Sequence, residues 1–568
     1  MSPTARESTQ VMGPVVTGAG PAAPGVPHRP GHAAPAGHRG LAGWGSWPAR
    51  ITALGRRHWL LTVLLLAGLA LRAVTVIAYH PALLYIDTPK YLYGEYPGAD
   101  PHGYNVLLHA VLRAGDLGTV ALLQHAAGLA MAVALYALLV RRGVSRWLAA
   151  LAVAPLLLDA YQLDIEHMIM PDLWFEVLLA AGLVLLLWRP QPAVRYMAAA
   201  GLLLGLSATM KLLGEVLIVP ALVYTLAAWG GWRRGLGMAA VVSVAFLAPI
   251  LSYCAVSYAS NGHFRLSAGQ SVTGRMAVAA DCATLQLPPA ARALCPGPAA
   301  QRLGPDYLEK SRDSPLHSNP VPPGTDRTHL INIFKSAVEH QQRIRVAASI
   351  ARDAVRLFAL TRDDVPSVTP ISRWQFQTAY PNYYPAVSVN ARHQIVIGVQ
   401  RRAYHRFRFF AVRPSDGGIA HVNRPAAAWL RSYQRSGGYT PGPLLAVCAI
   451  AGLAGSALAL ARRRADPRAR QLALACLLFT TAAVVVLLAA DITQFSWRYQ
   501  LPGLITLPPA GALGISAVAA WWARRRAAAS PVAASELRPP ASRLAASRLR
   551  PAASRFAAAQ PPLAAAQL

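Results

Sequence analysis

Residues 59–79, WLLTVLLLAGLALRAVTVIAY, decide the class of this protein: an apolar run holding one charge, Arg72, and followed a few residues later by Asp87. About 20 mostly apolar residues in a helix cross the roughly 30 Å hydrocarbon layer of a bilayer. Nine further runs follow, at about 119–140, 147–161, 173–188, 196–210, 212–229, 236–258, 443–460, 471–490 and 501–522. Composition points the same way. With 54% hydrophobic residues, 14% charged and a mean hydropathy of +0.34, the chain is too apolar for a soluble enzyme of 568 residues. The expected fold class is an all-α polytopic membrane bundle of about ten transmembrane helices.

Orientation comes from the basic loops, because short loops rich in Lys and Arg stay in the cytoplasm. Arg56 and Arg57, Arg141 to Arg146, Arg189 to Arg195, Arg233 and Arg234, Arg462 to Arg470, and Arg524 to Arg526 then share one side. The stretch 196–229 is too long for one crossing and basic at both flanks, so it crosses twice with a break near Lys211 to Gly214. Both termini are expected in the cytoplasm of a multi-pass protein of the cell membrane. The extracytoplasmic parts are then 81–117, 162–172, a turn at Lys211, a segment of 259–441 and the loop 491–502. The expected organisation is a basic tail (1–55), a transmembrane catalytic module of seven spans (56–258), the extracytoplasmic segment (259–441), spans eight to ten (442–523) and a second basic tail (524–568).

The 259–441 segment, between the seventh and eighth spans, is long enough for a small domain. Strand-like stretches at 374–380 and 393–399 and a helix over 331–360 make it mixed α/β. Its two cysteines, Cys282 and Cys295, suit a disulfide in an oxidising compartment. The tails are rich in Pro, Gly, Ala and His at the start and repeat an Ala-Ala-Ser-Arg theme at the end, and both are expected to be disordered. The basic C-terminal tail suits attraction to anionic lipid. The first apolar run begins only at Trp59, so no cleavable signal peptide is expected. A formal charge of +30 raises nucleic acid as a partner, but the basic residues lie between and beyond apolar runs, and none is expected. HExxH, GxxxxGK[ST] and GxSxG are absent, which removes the usual signatures of zinc hydrolases, P-loop ATPases and serine hydrolases.

Ionisable groups beside hydrocarbon are costly unless they are used, so function is sought at the outer rim. In 84–93, LYIDTPKYLY, Asp87 can act as a general base, or it can cap the helix begun by Thr88-Pro89. In 101–112, PHGYNVLLHAVL, helical apolar spacing suggests an interfacial helix that seats a lipid-linked substrate or only covers the bundle. In 158–172, Glu166, His167 and Asp172 lie nearest the surface and can bind a divalent metal, orient a sugar or share a proton; Asp172 can instead cap the fourth span. Lys211, and Arg498 with Tyr499, run against the inside bias for basic residues. They suit a phosphate, Arg as a fork and Lys as a point charge, although Lys211 can snorkel and Arg498 can pair with Asp491.

Together an Asp in the first outer loop, an interfacial helix, an acidic second outer loop, a basic residue after a short fifth span, and Arg498-Tyr499-Gln500-Leu501-Pro502 before the last span resemble the GT-C superfamily of integral-membrane glycosyltransferases. The likeness is to the protein mannosyltransferase and aminoarabinose transferase group, in its actinobacterial phospholipid-carrier-dependent branch, and covers about 59–522. Gln124-His125, 157–163, Glu166-His167 and 439–443 also resemble that branch.

The resemblance implies transfer of a hexosyl or pentosyl unit from a polyprenyl-phosphate carrier to a glycan, lipid or protein acceptor in the cell envelope. It makes Asp87 the catalytic acid of the first loop and Asp172 or Glu166 the second acidic position. Lys211, Arg498, Tyr499, His167, Tyr91 and Tyr104 are the substrate-binding candidates. Asp87-Thr88 stands where the group commonly has Asp-Glu. No cofactor or resident metal is expected, a divalent ion being compatible with the acids. The alternatives are a flippase or transporter of lipid-linked glycans, which needs charges in the middle of several spans where only Arg72 and Glu215 qualify, and a glycan polymerase or ligase.

Overall fold

The computed structural model describes residues 55–94, 100–190, 193–229, 231–267, 271–364, 369–400, 407–461 and 467–529. The chain separates into two units, Met1–Arg57 and His58–Leu568. All that follows concerns the second. The two tails expected from sequence lie outside the described residues, apart from 55 and 524–529.

Among the described residues six helices are long and apolar enough to cross a membrane, which makes this a multi-pass membrane protein. They are α1 (Trp59–Ala78), α4 (Leu117–Arg141), α10 (Trp232–Asn261), α11 (Gly442–Ala461), α12 (Pro467–Ala490) and α13 (Pro502–Ala529). The third apolar run of the sequence is a bent pair, α5 (Arg146–Leu158) and α6 (Ala160–His167), which meet at 51°. The bend falls at Asp159, whose carboxylate accepts from the backbone N–H of Tyr161 and starts the second helix. Three more apolar runs form shorter helices, α7 (Asp172–Leu187), α8 (Val194–Met210) and α9 (Ile218–Ala228). Between α8 and α9 the chain turns extended at Lys211 and continues as a 3₁₀ turn, Leu212–Leu217.

Two short helices, α2 (Thr88–Tyr93) and α3 (Gly103–Leu112), follow α1. Helix α3 buries Tyr104 and Leu108 and leaves Val106 exposed. The residues between α10 and α11 hold a second apolar core around Leu308, Phe334 and Val338, and Cys282 is disulfide-bonded to Cys295 beside it. The expected single helix over 331–360 is two, Arg327–Gln341 and Arg343–Val355, broken at Gln342. The aromatic stretch 374–380 is not a strand, since Ile371–Trp374 is a 3₁₀ turn whose Trp374 packs into the main core. The strands are β2 (Val387–Val389), β3 (Ile395–Gln400) and β4 (Phe407–Ala411), antiparallel in the order β2-β3-β4, with Val387 opposite Ile397 and Ile397 opposite Phe410. A further antiparallel pair, β1 (Tyr79–His80) with β5 (His421–Val422), ties the end of α1 to this region.

One buried ion pair positions the loop that carries Asp172. Arg72, 2% exposed in the middle of α1, donates from Nε and Nη2 to the two carboxylate oxygens of Glu166 at 2.9 and 2.7 Å. Its remaining N–H groups reach the carbonyls of Gly68, Leu156 and Leu157, so that α1, α5 and α6 share one guanidinium. His125 of α4 lies 3.0 Å from the same carboxylate and 3.1 Å from His167. Gly128 makes room: a Cβ there would come within 2.3 Å of Glu166 Oε1. A buried carboxylate held this way is strongly destabilising once its cation is removed. Arg72→Met should therefore cost about 3–5 kcal/mol. Adding Glu166→Leu should restore much of that, both being read from thermal unfolding of the purified protein.

Candidate active site

The loops that follow α1 and α6 are laced together before any side chain is considered. The Leu83 N–H donates to the carbonyl of His167 and the Ile169 N–H to that of Leu83, both at 3.0 Å, which pairs Leu83 with Met168 in parallel. Thr88 Oγ1 accepts from the Tyr85 N–H and donates to the Ile169 carbonyl. This lacing sets Asp87, just before α2, and Asp172, the first residue of α7, at one edge of the bundle.

Arg498 joins them. It sits on the 3₁₀ turn Trp497–Gln500 before α13 and is 411 residues from Asp87 in sequence. Its Nε donates to Asp172 Oδ1 at 2.9 Å and its Nη1 to Asp87 Oδ2 at 3.1 Å. The guanidinium also lies 5.2–5.9 Å from the ring centres of Tyr499, Trp374 and Tyr85, close enough for favourable cation–π contact. Lys211, at the break between α8 and the 3₁₀ turn, donates to Asp172 Oδ1 at 2.8 Å and lies 4.8 Å from the Tyr499 ring. Lys90, one turn along α2, donates to Asp87 Oδ1 at 3.1 Å and to Asp100. Asp87, Lys90, Asp100, Lys211 and Arg498 line one cavity of about 720 Å³, which is also lined by residues between α10 and α11, Arg275, Asp306, Glu309 and Lys310 among them.

Two local alternatives are decided here. Asp87 occupies the N-cap position of α2 but makes no capping hydrogen bond, its carboxylate being turned to Lys90 and Arg498 instead. Arg498 pairs with Asp87 and Asp172 rather than with Asp491, which is bound by Gln500. Burial pushes the Asp87 carboxyl up, but Lys90 and Arg498 outweigh it and hold the group down at about 2.

Of the residues singled out in sequence, Asp87, Asp172, Lys211, Arg498, Tyr499 and Tyr91 come together at or beside the cavity. Glu166 and His167 do not. Both are fully buried, Glu166 spent on Arg72 and His125, and His167 on His125 and the Tyr79 carbonyl. Both oxygens of Glu166 are engaged by the fork and the imidazole, and neither residue lines the cavity. Tyr104 is also buried; its hydroxyl donates to Gln124 and its ring meets the edge of Tyr91, so it backs the site without lining it. Lys90 and Asp100 belong to the site and were not singled out. Lys90 carried the same signal as Lys211 and Arg498, a basic residue on the side that the inside bias leaves poor in them. Among the described residues no three His, Cys, Asp or Glu side chains group as metal ligands.

No protein-family model and no curated protein matches the chain. Among solved structures it is similar to ArnT from Cupriavidus metallidurans in the apo state, with 14% identity and a TM-score of 0.31 over 82% of this chain and 78% of that one. It is also similar to ArnT from Cupriavidus metallidurans bound to undecaprenyl phosphate, with 14% identity and a TM-score of 0.30 over 84% and 81%. Likeness at this distance transfers no residue role.

Asp491, just past α12, is completely buried, and both its oxygens accept from Gln500 Nε2 at 3.0 and 3.1 Å. Burial pushes its carboxyl up to about 8, against the opposing pull of that hydrogen bond. A carboxyl raised in the folded state keeps its proton there after the unfolded chain has lost it. Stability from this group therefore falls as pH rises from the ordinary carboxylate range through about 8. Asp491→Asn should flatten the dependence of unfolding on pH between about 5 and 8, by roughly 1 kcal/mol per pH unit.

Proposed function

We propose that this protein is a glycosyltransferase that moves a sugar from a polyprenyl-phosphate carrier to an acceptor at the outer face of the cell membrane. One observation carries the reading: Asp87, Arg498, Asp172 and Lys211, from four separate stretches, meet at one edge of a membrane-embedded bundle beside a cavity walled by the segment between α10 and α11. A base and two cations at one cavity are what transfer from a lipid phosphate needs. Asp87 takes the proton of the acceptor hydroxyl as the acceptor oxygen bonds to the anomeric carbon from the face opposite the carrier. The bond from that carbon to the phosphate oxygen breaks, and its electron pair stays on the phosphate, where Arg498 and Lys211 neutralise the charge. The anomeric centre inverts. Asp172 orients both cations. The activated donor is already a lipid, so no nucleotide-binding domain is required.

Ten crossings fit this reading, with α5 and α6 together as the third and α7, α8 and α9 as the fourth to sixth. Arg141 and Arg142, Arg189, Arg195, Arg233 and Arg234, and Arg524 to Arg526 then lie at the cytoplasmic ends, both termini are cytoplasmic and the cavity is extracytoplasmic. Residues 259–441 then supply acceptor recognition. Arg72, the mid-span charge that a transport path would use, is consumed by Glu166 instead. The resemblance to GT-C glycosyltransferases agrees with this reading.

With purified protein and a radiolabelled polyprenyl-phosphate sugar, Asp87→Asn should lower release of carrier phosphate by at least about 10²-fold without unfolding the protein. Undiminished transfer would remove Asp87 from the mechanism. Arg498→Ala should mainly weaken donor binding, by about tenfold or more; unaltered donor affinity in a folded variant would refute the phosphate assignment.

A further inference from the structure

Six of the charges at or beside the cavity form an alternating row of ion pairs: Asp100, Lys90, Asp87, Arg498, Asp172, Lys211. Three carboxylates face three cations, and each cation is held by at least one of them. A phosphate entering this row meets no unpaired cation. Arg498 already carries two carboxylates, and a third anion on the same guanidinium adds repulsion, so a phosphate gains it by exchange with one of them.

Which carboxylate yields follows from burial. Asp172 is held by both Arg498 and Lys211, its side chain is 4% exposed, and its Oδ2 is buried without a partner. It cannot leave without stranding a charge. Asp87 is 28% exposed, sits at the start of a six-residue helix on the cavity wall, and keeps Lys90 when it lets Arg498 go. Lys211 has one carboxylate partner and rests over the Tyr499 ring, which makes its end of the row the entry for a phosphate.

We propose that the donor phosphate and Asp87 compete for Arg498, so that donor binding itself releases Asp87 to act as the base, and the donor must bind before the acceptor can be deprotonated. This rests on the glycosyltransferase reading. Held between Lys90 and Arg498, Asp87 is a weaker base than an unpaired carboxylate. Once the phosphate has taken Arg498, one of the two cations that hold Asp87 down is gone and burial acts on it with less opposition. The cavity would then hold no active base without a donor in place.

Competition makes a prediction opposite to that of a merely structural or phosphate-supporting role. Undecaprenyl phosphate binding is measured on the full chain in nanodiscs of zwitterionic lipid, with the uncharged polyprenol as reference. Asp87→Asn should bind the phosphate tighter than wild type, by about tenfold, while affinity for the polyprenol stays the same. Asp87→Ser carries the same comparison if the Asn variant does not fold. Unchanged or weaker phosphate binding in a folded variant overturns the competition. Phosphate bound no better than polyprenol by wild type and variant alike overturns instead the donor reading on which it rests.

Discussion

The pairing of Arg72 with Glu166 is the constraint on which the rest of this structure depends. A guanidinium in the middle of an apolar helix has to find an anion and enough oxygens for its five N–H groups, or the helix is very costly to bury. Glu166 supplies the anion only if α6 folds back from α5 at a sharp angle, and Asp159 makes that bend by starting a new helix. Once α6 is held there, the chain that leaves it runs beside the loop after α1 and pairs with it through Leu83, His167 and Ile169. The placement of Asp172 beside Asp87 is therefore a consequence of charge satisfaction inside the bundle.

At the rim the same requirement is met differently. Asp172 and Arg498 are nearly as buried as Glu166 and Arg72, but their row continues outward through Asp87, Lys90 and Asp100 to a cavity. The inner pair is closed, with every oxygen engaged by side chains of the bundle. The outer row is open at one face and includes a carboxylate that retains solvent contact. A complete ion pair can only hold structure, whereas a row that keeps solvent contact is free to exchange partners. The difference lies in exposure and in the number of partners, not in residue type.

Much of this was legible from position along the chain. Apolar runs gave the helices, and charges at their ends drew attention to Asp87, Asp172, Lys211 and Arg498. The roles of Glu166 and His167 were not legible. Both stand within six residues of Asp172, in a stretch dense with polar groups, and only the 51° bend turns them inward to Arg72 and His125 while Asp172 pairs with Arg498 and Lys211. Lys90 is not legible as a site residue because a lysine three residues after an aspartate in a short helix has the form of an ordinary local pair. Its importance comes from what Asp87 does on its other side. Local spacing similarly misjudged 374–380, where aromatic residues that resemble a strand are used singly, Trp374 against Tyr85 and Arg498 and Phe376 against Tyr79.

By itself the sequence determined that this protein is a helical membrane protein, roughly where its helices begin and end, and which charged residues stand at their rims, because the cost of placing polar atoms in hydrocarbon is paid residue by residue. Tertiary structure alone decided which of those charges are spent on one another inside the bundle and which meet at a cavity. That outcome depends on distances between segments up to 411 residues apart, and no local pattern encodes them.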